Sequence, residues 1–372
     1  MEVFKASESG AIKRAAAVLR DGGLVGMPTE TVYGLAADAM AGEAVARVFE
    51  AKGRPSFDPL IVHGASAGQL WEVVASEAGW PGEWVADGRE HRVVMALAEC
   101  LAEAFWPGPL TLVLPVREGS VSGLVTAGLG TVGVRVPGHP VSRRLIELAG
   151  VPLAAPSANR FGGISPTRAA HVVQELADRA GVVLDGGPCE RGLESTVVGF
   201  GAAESDGEGP VVEVLRLGSL SVERLEETLA GRGRVRVHRG TSRPEGVKPV
   251  AEAPPAPGML DRHYAPRTPM VVVDGLEQVS AGADRLSAAL GLGDGLRMGR
   301  WGVFLSVLPV GDPESVGAVA AESELVGAAA GFFERLRRLD ARGYDGIVAV
   351  RAPHAGLGRA INDRLERGAL KV

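Results

Sequence analysis

Cysteine is scarce in this sequence. Its 372 residues include two cysteines, Cys100 and Cys189, which lie far apart and outside any C-x-x-C pair. This spacing disfavours a disulfide framework and a cysteine-bound zinc, and it fits a reducing cytoplasm. The N-terminal segment lacks the basic and apolar regions of a signal peptide, so we expect that the protein is not exported.

Long apolar runs and excess positive charge are missing too. The longest uncharged stretch, from Gly119 to Val134, is rich in Gly, Ser and Thr and falls short of the ~18 apolar residues of a membrane span. Lys and Arg total 39 against 45 Asp and Glu, a net charge of −6, so any contact with RNA has to be local. The patterns H-E-x-x-H, G-x-S-x-G and the P-loop are absent, which disfavours hydrolase and P-loop kinase functions.

What is present indicates a folded protein of two or three domains. Hydrophobic residues make up 46% and charged residues 23%, the balance of a chain with a proper core. In the first part of the chain, strand-like runs alternate with helical patterns and predict a mixed α/β domain. These runs are Leu24 to Met27, Leu60 to Val62, Leu110 to Leu114, Val132 to Val136 and Val182 to Leu184.

A proline-rich segment separates this part from the rest. Five prolines lie between Thr241 and Gly258, with almost no large apolar side chain between them. Such a composition is typical of an extended linker. We therefore predict a first domain over residues 1–235, a linker or lid over 236–268 and a small second domain over 269–372.

The C-terminal part repeats a strand and a helix three times, which predicts a small parallel sheet. The three predicted strands are Met270 to Val273, Val303 to Val307 and Ile347 to Val350. In the longest predicted helix, apolar residues recur every three or four positions. This spacing predicts that Arg335, Arg337 and Arg338 lie in solvent.

The string KGRP, at Lys52 to Pro55, ends a predicted amphipathic helix. Gly53 with flanking cations is typical of a helix C-terminus. The same residues suit an anion clamp, in which the turn approaches a phosphate between Lys52 and Arg54. The pattern alone leaves both interpretations open.

A glycine-rich string, GLGTVG at Gly128 to Gly133, matches the dinucleotide fingerprint in letters. A strand follows it where the fingerprint requires a helix, so we reject that interpretation. Within the strand, Gly133 and Arg135 share one face. Arg135 then either binds a carboxylate or occupies a solvent-facing position.

Two polar loops follow predicted strands. The loop from Ala155 to Thr167 carries more hydroxyl and amide groups than a helix cap needs, and Thr167 is a plausible N-cap. The loop from Pro28 to Leu35 places Thr29, Glu30 and Thr31 just beyond a strand, where α/β sheets usually hold ligands. Taken alone, each is also compatible with an ordinary polar loop.

A local basic run lies near the end of the first domain. It comprises Arg232, Arg234, Arg236, Arg239, Arg243 and Lys248, opposed only by Glu245. A charged sheet edge explains it, because edge strands often carry charge. A contact with polyphosphate or RNA is the alternative.

Together these strings resemble a known family. PTETVYGL, KGRPSFDPLIVHG, FWPGPLTLVLP, TVGVRVPGHP, APSANRFGGISPT, DGGPCERGLESTVV and PGMLDRHYAP occur in the order seen in the long, two-domain threonylcarbamoyl-AMP synthases. The resemblance implies a YrdC-like open, twisted mixed α/β sheet with a deep positive groove and a small Rossmann-like C-terminal domain. It also implies a nucleotidyltransferase that condenses L-threonine, bicarbonate and ATP into threonylcarbamoyl-AMP and releases pyrophosphate.

The resemblance assigns roles to individual positions. The family's threonine contacts fall on Thr31, His63, Arg135, the backbone of Ala155, and Ser195, with Arg135 on the carboxylate. Its ATP contacts fall on Arg54, Asp58, Thr131, Ser157, Asn159, Ser165, Arg216 and Tyr264. Lys52 and Arg54 are the expected catalytic residues.

The implied cofactor is Mg²⁺ carried by ATP, without protein ligands, since the sequence offers no evident carboxylate cage. The implied partners are a transferase that takes the product for modification of tRNA and, through it, tRNA itself. We expect a cytoplasmic protein without a membrane partner. Two alternatives stay open, namely a non-catalytic RNA-binding module using the same groove, and carbamoyl transfer in hydrogenase maturation, which expects zinc-finger cysteines that this chain lacks.

Overall fold

A computed structural model of the chain describes residues 1–76, 89–177, 179–201, 211–238, 263–290, 300–306 and 322–371. Most of the predicted linker lies outside these residues. The described residues fall into two compact units. The first comprises those in Met1–Phe161, Pro166–Cys189 and Glu194–Leu260, and the second those in Gly162–Ser165, Glu190–Leu193 and Asp261–Val372.

Eleven strands form one mixed sheet in the described residues of the first unit. The strands are β1 (Glu2–Lys5), β2 (Val25–Met27), β3 (Gly34–Asp38), β4 (Ile61–His63), β5 (Leu110–Pro115), β6 (Thr131–Arg135), β7 (Leu153–Ala154), β8 (Val182–Asp185), β9 (Thr196–Gly201), β10 (Val211–Arg216) and β11 (Arg234–Val237). Their order is β1-β8-β2-β3-β7-β4-β6-β5-β9-β10-β11. Strand β4 is parallel to β6, whereas β5 is antiparallel to β6. The predicted mixed α/β fold is confirmed.

Eight helices accompany this sheet in the described residues. They are α1 (Ala11–Arg20), α2 (Gly42–Lys52), α3 (Ala67–Trp71), α4 (Arg89–Phe105), α5 (Gly123–Thr126), α6 (Pro140–Ala149), α7 (Ala169–Leu176) and α8 (Val222–Thr228). Helix α6 shows how the sequence sets the ends: the Nδ1 atom of His139 accepts a hydrogen bond from the backbone N–H of Val141, and Pro140 takes the first helical position. Gly150 closes the helix in the left-handed conformation at φ 78°.

Two apolar clusters hold these layers together. One joins the central strands with α2, α4 and α8, for example through Val48, Leu101 and Leu225. The other joins α1 and α6 with β2, β8 and neighbouring strands, through residues such as Leu19 and Ile146. The apolar stripe of each helix is therefore removed from water against the sheet, which is the main stabilising contribution of such layers.

The second unit contains the predicted small parallel sheet. Its elements are β12 (Met270–Val273), α9 (Val279–Leu290), β13 (Trp301–Leu305), α10 (Glu322–Asp340), β14 (Gly346–Val350) and α11 (Gly358–Gly368). The strand order is β12-β14-β13, and β14 is parallel to both neighbours. Placing the last strand in the middle requires crossover connections, which the intervening helices supply.

Three local predictions are wrong. Arg337 does not lie in solvent, because its guanidinium donates to the carbonyl oxygens of Ser165 and Ile164. Arg335 does not lie in solvent: its guanidinium donates to the carbonyl oxygens of Leu305 and Ser306 at 3.0 and 2.9 Å and lies 5.3 Å from the ring centre of Phe304. Burial lowers its pKa accordingly. Thr167 is not the N-cap of α7, because the cap is Arg168.

The described part of the chain contains no helix with both the length and the hydropathy needed to cross a membrane.

Candidate active site

The central strands of the first unit present two different faces. One face packs into the main core through residues such as Val62, Leu112 and Val134. The opposite face, which we call the polar sheet face, carries Ile61, His63, Thr111, Gly133 and Arg135. The register supports this assignment, because Ile61 pairs with Gly133 and His63 with Arg135, and a Cβ on Gly133 would lie 3.3 Å from Thr111 Cγ2.

Arg135 is the centre of the first group of polar residues. Its guanidinium is buried at the C-terminal end of β6 and donates through Nε to the carbonyl oxygen of Gly108 at 3.1 Å. Nη2 donates to Glu30 Oε1 at 2.6 Å and to Thr31 Oγ1 at 2.9 Å. The end of β6 therefore meets the loop after β2, two segments that the sequence motifs marked separately.

Burial and this arginine together set the protonation of the neighbours. Burial alone raises the pKa of Glu30, but the charge and hydrogen bond of Arg135, helped by the backbone N–H of Gly138, hold it below its usual value. Burial, followed by the positive charge of Arg135, lowers the pKa of His63 to about 3. At neutral pH the site therefore contains an ionised Glu30, a charged Arg135 and a neutral His63.

A second group lies beside the first, on the next strands. Ser195 immediately precedes β9, and its hydroxyl shares a hydrogen bond of 2.8 Å with the hydroxyl of Thr111. Arg216, at the end of β10, donates through Nη2 to the Ser195 carbonyl oxygen at 2.9 Å and to its hydroxyl at 3.1 Å. All three side chains are buried. Because Thr111 and Arg135 share the polar sheet face, Ser195 and Arg135 belong to one site.

Apolar residues form the floor between these groups. Ile61, Val113, Val197 and Leu215 pack into a small cluster separate from the main core. Val113 pairs with Gly133 across β5 and β6, so the cluster lies on the polar sheet face. An apolar floor with a few charged and hydroxyl groups around it is the usual composition of a small-molecule site.

Lys52 organises a third group. Its buried Nζ atom donates to the carbonyl oxygen of Asn159 at 2.6 Å and to that of Ser157. Ser157 also bridges to Gly34 in β3, and Ala155 donates its backbone N–H to the carbonyl of Ile61 at 3.1 Å. Burial, followed by the nearby Arg54, lowers the pKa of Lys52 well below its usual value. Lys52 therefore supports the loop from Ala155 to Asn159.

The prediction that the string KGRP ends a helix is confirmed. Helix α2 ends at Lys52, and Gly53 adopts the left-handed conformation at φ 61°, ψ 33°, where glycine carries no steric cost. Beyond it, the buried Arg54 pairs with Asp58 at 2.9 Å and donates to the Pro59 carbonyl oxygen at 2.8 Å. The predicted anion-binding role of Lys52 and Arg54 stays a prediction.

Three further residues are predicted ATP contacts. Thr131 is on the same face of β6 as Arg135 but at the other end of the strand, about 13 Å away at ~3.3 Å per residue. Ser165 and Tyr264 belong to the second unit. There Tyr264 is buried between His263 and Phe333, with ring centres 4.1 and 5.8 Å away.

Sequence reasoning did not assign the partners of these residues. Glu30 is visible in the motif PTETVYGL, but its contacts with Arg135 and Gly138 lie more than a hundred residues away along the chain. Thr111 lies in an apolar strand, where it gives no signal. Cys189 lies within electrostatic range of Glu30, Tyr33 lies within that range of Cys189, and burial raises the pKa of both. The hydroxyl of Tyr33 donates to the Gly187 carbonyl oxygen at 2.7 Å.

No cluster of three or more His, Cys, Asp or Glu side chains able to hold a metal ion occurs among the residues that the structure describes. The carboxylate next to the predicted phosphate contacts, Asp58, pairs with Arg54.

Comparison with known proteins gives matches along nearly the whole chain. A family model described as "Telomere recombination" matches residues 17–218, and one described as "Threonylcarbamoyl-AMP synthase, C-terminal domain" matches residues 220–369. The threonylcarbamoyl-AMP synthase of Pyrococcus abyssi is 39% identical over 97% of this chain and 95% of its own length. That of Bacillus subtilis is 36% identical over 96% of this chain and 92% of its own.

Among solved structures, P. abyssi Sua5 complexed with L-threonine is similar at a TM-score of 0.74 and 37% identity. The similarity covers 99% of this chain and 96% of that one.

Proposed function

Because the chain belongs to the threonylcarbamoyl-AMP synthase family, we propose that it condenses L-threonine, bicarbonate and ATP into threonylcarbamoyl-AMP on the polar sheet face. The observation that carries this assignment to particular residues is the buried guanidinium of Arg135 at the end of β6, with Thr31 in hydrogen-bonding contact and His63 beside it. A guanidinium in an enclosed site with neighbouring hydroxyls suits the carboxylate of an amino acid.

The reaction needs no nucleophile from the protein. The amine of threonine and bicarbonate form an N-carboxylate with loss of water. One oxygen of this carboxylate attacks the α-phosphorus of ATP, the bond from that phosphorus to the bridging oxygen of the β-phosphate breaks, and pyrophosphate leaves. The enzyme's contribution is to hold the two anions in line, which is catalysis by positioning and charge compensation.

The described residues divide these tasks. Arg135, Thr31, His63, Ser195 and the backbone of Ala155 would hold threonine. Positive charge for the phosphates would come from Arg54 and Arg216, and Lys52 would keep the loop carrying Ser157 and Asn159 in place. Both arginines are buried, so their charges are little screened by solvent.

Magnesium belongs to the proposal as part of the nucleotide. The donor set near Arg54 offers Asp58, which is engaged in an ion pair, so the ion would be held by phosphate oxygens and water, as Mg²⁺ commonly is. Bound there, it would neutralise charge on the triphosphate. The proposal also includes a cytoplasmic location. It further includes a transferase that receives the adenylate for tRNA modification, because a mixed anhydride of this kind hydrolyses unless it is consumed.

The test is direct detection of the product. The protein is incubated with ATP, Mg²⁺, L-threonine and ¹³C-bicarbonate, and the adenylate is sought by mass spectrometry together with released pyrophosphate. We expect a product one mass unit heavier than with ordinary bicarbonate, and none when threonine is omitted. Salt-dependent RNA binding without threonine-dependent pyrophosphate release would instead support a non-catalytic RNA-binding module.

A further inference from the structure

Among the described residues, Glu30 is the only acidic side chain that the structure shows hydrogen-bonded to Arg135. Its carboxylate is also held by the backbone of Gly138, in the turn before α6. Oε1 accepts from Arg135 Nη2 at 2.6 Å, and Oε2 accepts from the backbone N–H of Gly138 at 2.9 Å. The side chains of Glu30 and Arg135 are 8% and 4% exposed. The carboxylate is therefore held between the turn before α6 and the guanidinium at the end of β6.

Gly138 makes this arrangement possible. A Cβ at this position would lie 3.1 Å from Glu30 Cδ and 3.3 Å from Cγ. Any larger residue would push the carboxylate away from the backbone N–H that holds it. The string VPGHP thus contributes a close approach to Glu30, in addition to the cap of α6 that His139 and Pro140 supply.

The contacts of Arg135 leave one part of its guanidinium for a ligand. Nε donates to Gly108, and Nη2 donates to both Glu30 and Thr31. Nη1 makes no hydrogen bond to any residue that the structure describes. A guanidinium has five N–H groups in a fixed plane, so holding three of them fixes the direction of the remaining two.

We propose that Glu30 is a positioning residue for substrate: by holding Nη2 of Arg135, while the carbonyl oxygen of Gly108 holds Nε, it directs Nη1 toward the carboxylate of L-threonine. This rests on the proposed function, because it assumes that threonine binds at Arg135. Glu30 acts through Arg135 and does not contact the reacting atoms.

A purely structural role for the pair is the competing explanation, and energetics disfavour it. Burying two charges costs desolvation that their attraction often only offsets, so buried ion pairs contribute little net stability compared with apolar residues. The hypothesis that fits this pair is directional: its hydrogen bonds hold the arginine side chain in one orientation. The planar fork of arginine, fixed on one side, gives that direction to the free side.

The experiment compares Glu30→Gln with wild type in threonine- and ATP-dependent pyrophosphate release. Glutamine keeps the length of the side chain but presents an N–H group to either Arg135 or Gly138, so one contact is lost. We expect the KM for threonine to rise about tenfold, with kcat within a factor of two and the KM for ATP unchanged. A threonine KM within twofold of wild type, in folded protein, would overturn the proposal.

A binding measurement separates positioning from a general loss of structure. Calorimetry gives the Kd of L-threonine and of L-threoninamide, which lacks the carboxylate. We expect wild type to prefer threonine and Glu30→Gln to lose about tenfold of that preference. Partial unfolding would lower the bound fraction for both ligands and leave the ratio of the two Kd values unchanged, and that result would count against the proposal.

Glu213→Gln is the matched control. Glu213 is also buried in the first unit and pairs with an arginine, Arg236, at 3.3 Å. We expect it to leave the threonine KM unchanged, and an equal rise in both variants would refute the specific role of Glu30. If Glu30→Gln fails to fold, Gly138→Ala, which presses on the carboxylate without changing charge, is expected to raise the threonine KM severalfold.

Failure of the proposed function has a different signature. Wild-type protein without threonine-dependent pyrophosphate release would remove the reaction itself, whatever Glu30 does. Active wild type with unaltered Glu30 variants would remove only the positioning role.

Discussion

The Nζ atom of Lys52 donates a hydrogen bond to the backbone carbonyl oxygen of Asn159 at 2.6 Å, linking the last residue of α2 to a loop 107 positions later in the chain. A second bond from the same atom reaches the carbonyl of Ser157. This amino group therefore holds two backbone carbonyl oxygens of a loop that carries predicted ATP contacts.

Lys52→Gln should weaken the use of ATP. A neutral amide is shorter and cannot serve both carbonyl oxygens, so the loop from Ser157 to Asn159 loses its support. We expect the KM for ATP to rise at least tenfold, measured by pyrophosphate release at saturating threonine. Lys13→Gln, on the exposed side of α1, is the control and should behave as wild type. An unchanged KM for ATP would contradict the supporting role.

Arg135→Ala should affect threonine far more than ATP. The substitution removes the guanidinium predicted to bind the carboxylate, and we expect the KM for threonine to rise about a hundredfold or more with the KM for ATP within threefold. Steady-state assays with each substrate varied in turn measure both constants. An unaltered threonine dependence would exclude Arg135 from binding.

Stability needs its own control in that experiment. Removing Arg135 leaves the Glu30 carboxylate buried without its ion-pair partner, which costs about 3–5 kcal/mol. The double variant Glu30→Gln with Arg135→Met removes both charges. It should recover most of the melting temperature while threonine use stays lost, which separates folding from binding.

Gly133→Ala should obstruct the polar sheet face. The added methyl group would lie 3.3 Å from Thr111 Cγ2 and 3.5 Å from Ile61 Cγ1, two residues from Arg135. We expect kcat/KM for threonine to fall about tenfold with little change in melting temperature. Gly201→Ala is the matched control, because a Cβ there has no atom within 4 Å. Equal activity of the two variants would show that Gly133 does not face the substrate.

His63 should make the stability of the first unit depend on pH. Its pKa is about 3 in the folded protein against 6.5 for a free imidazole. Between these values the unfolded chain binds an extra proton, so the free energy of unfolding falls as the pH decreases from 6.5 toward 3. From pH 7 to pH 5 the wild type should lose about 2 kcal/mol more than His63→Gln.

Urea titrations followed by tryptophan fluorescence measure this difference, since four of the five tryptophans lie within the first 106 residues. The window avoids Glu30, whose lowered pKa affects stability only below its usual value of 4.5. His354→Gln, at an exposed position, is the control. Parallel pH profiles for wild type and His63→Gln would contradict a buried neutral imidazole.

Local signals predicted the parts of the fold that depend on local interactions. The end of α2 at Lys52 followed from a glycine between cations, and the apolar runs marked strands such as β5 and β6. The alternation in TVGVRVP placed Gly133 and Arg135 on one face, as the register confirms. In each case the determining contacts lie within a few residues.

Errors arose where a distant or competing partner decides the outcome. Thr167 lost its predicted role as N-cap: its backbone N–H donates to Nδ1 of His171, and α7 begins after Arg168. Arg335 was placed in solvent by helical periodicity, which carries no information about the carbonyl groups at the end of β13. Helical periodicity describes the faces of a single helix. The long side chain of an arginine can extend from that helix to the backbone of an adjacent strand.

The site shows the same division. The sequence motifs predicted Arg135, Thr31 and Ser195 as site residues. Whether these residues lie close together depends on the order of the strands, in which β5 lies between β6 and β9. That order places Thr111 between Ser195 and Arg135. Nothing near Thr111 in the sequence indicates this, because its neighbours are the apolar residues of a buried strand.

Strand β11 is an edge strand of the described sheet. Along it the exposed Arg234 and Arg236 alternate with the half-buried Val235 and Val237. Unpaired peptide N–H and C=O groups on an edge strand can form hydrogen bonds with extended segments of other molecules. Charged side chains on the edge strand disfavour this pairing. We therefore expect Arg234 and Arg236 to disfavour self-association through this edge. Threonine at both positions would retain the strand while favouring aggregation at high protein concentration.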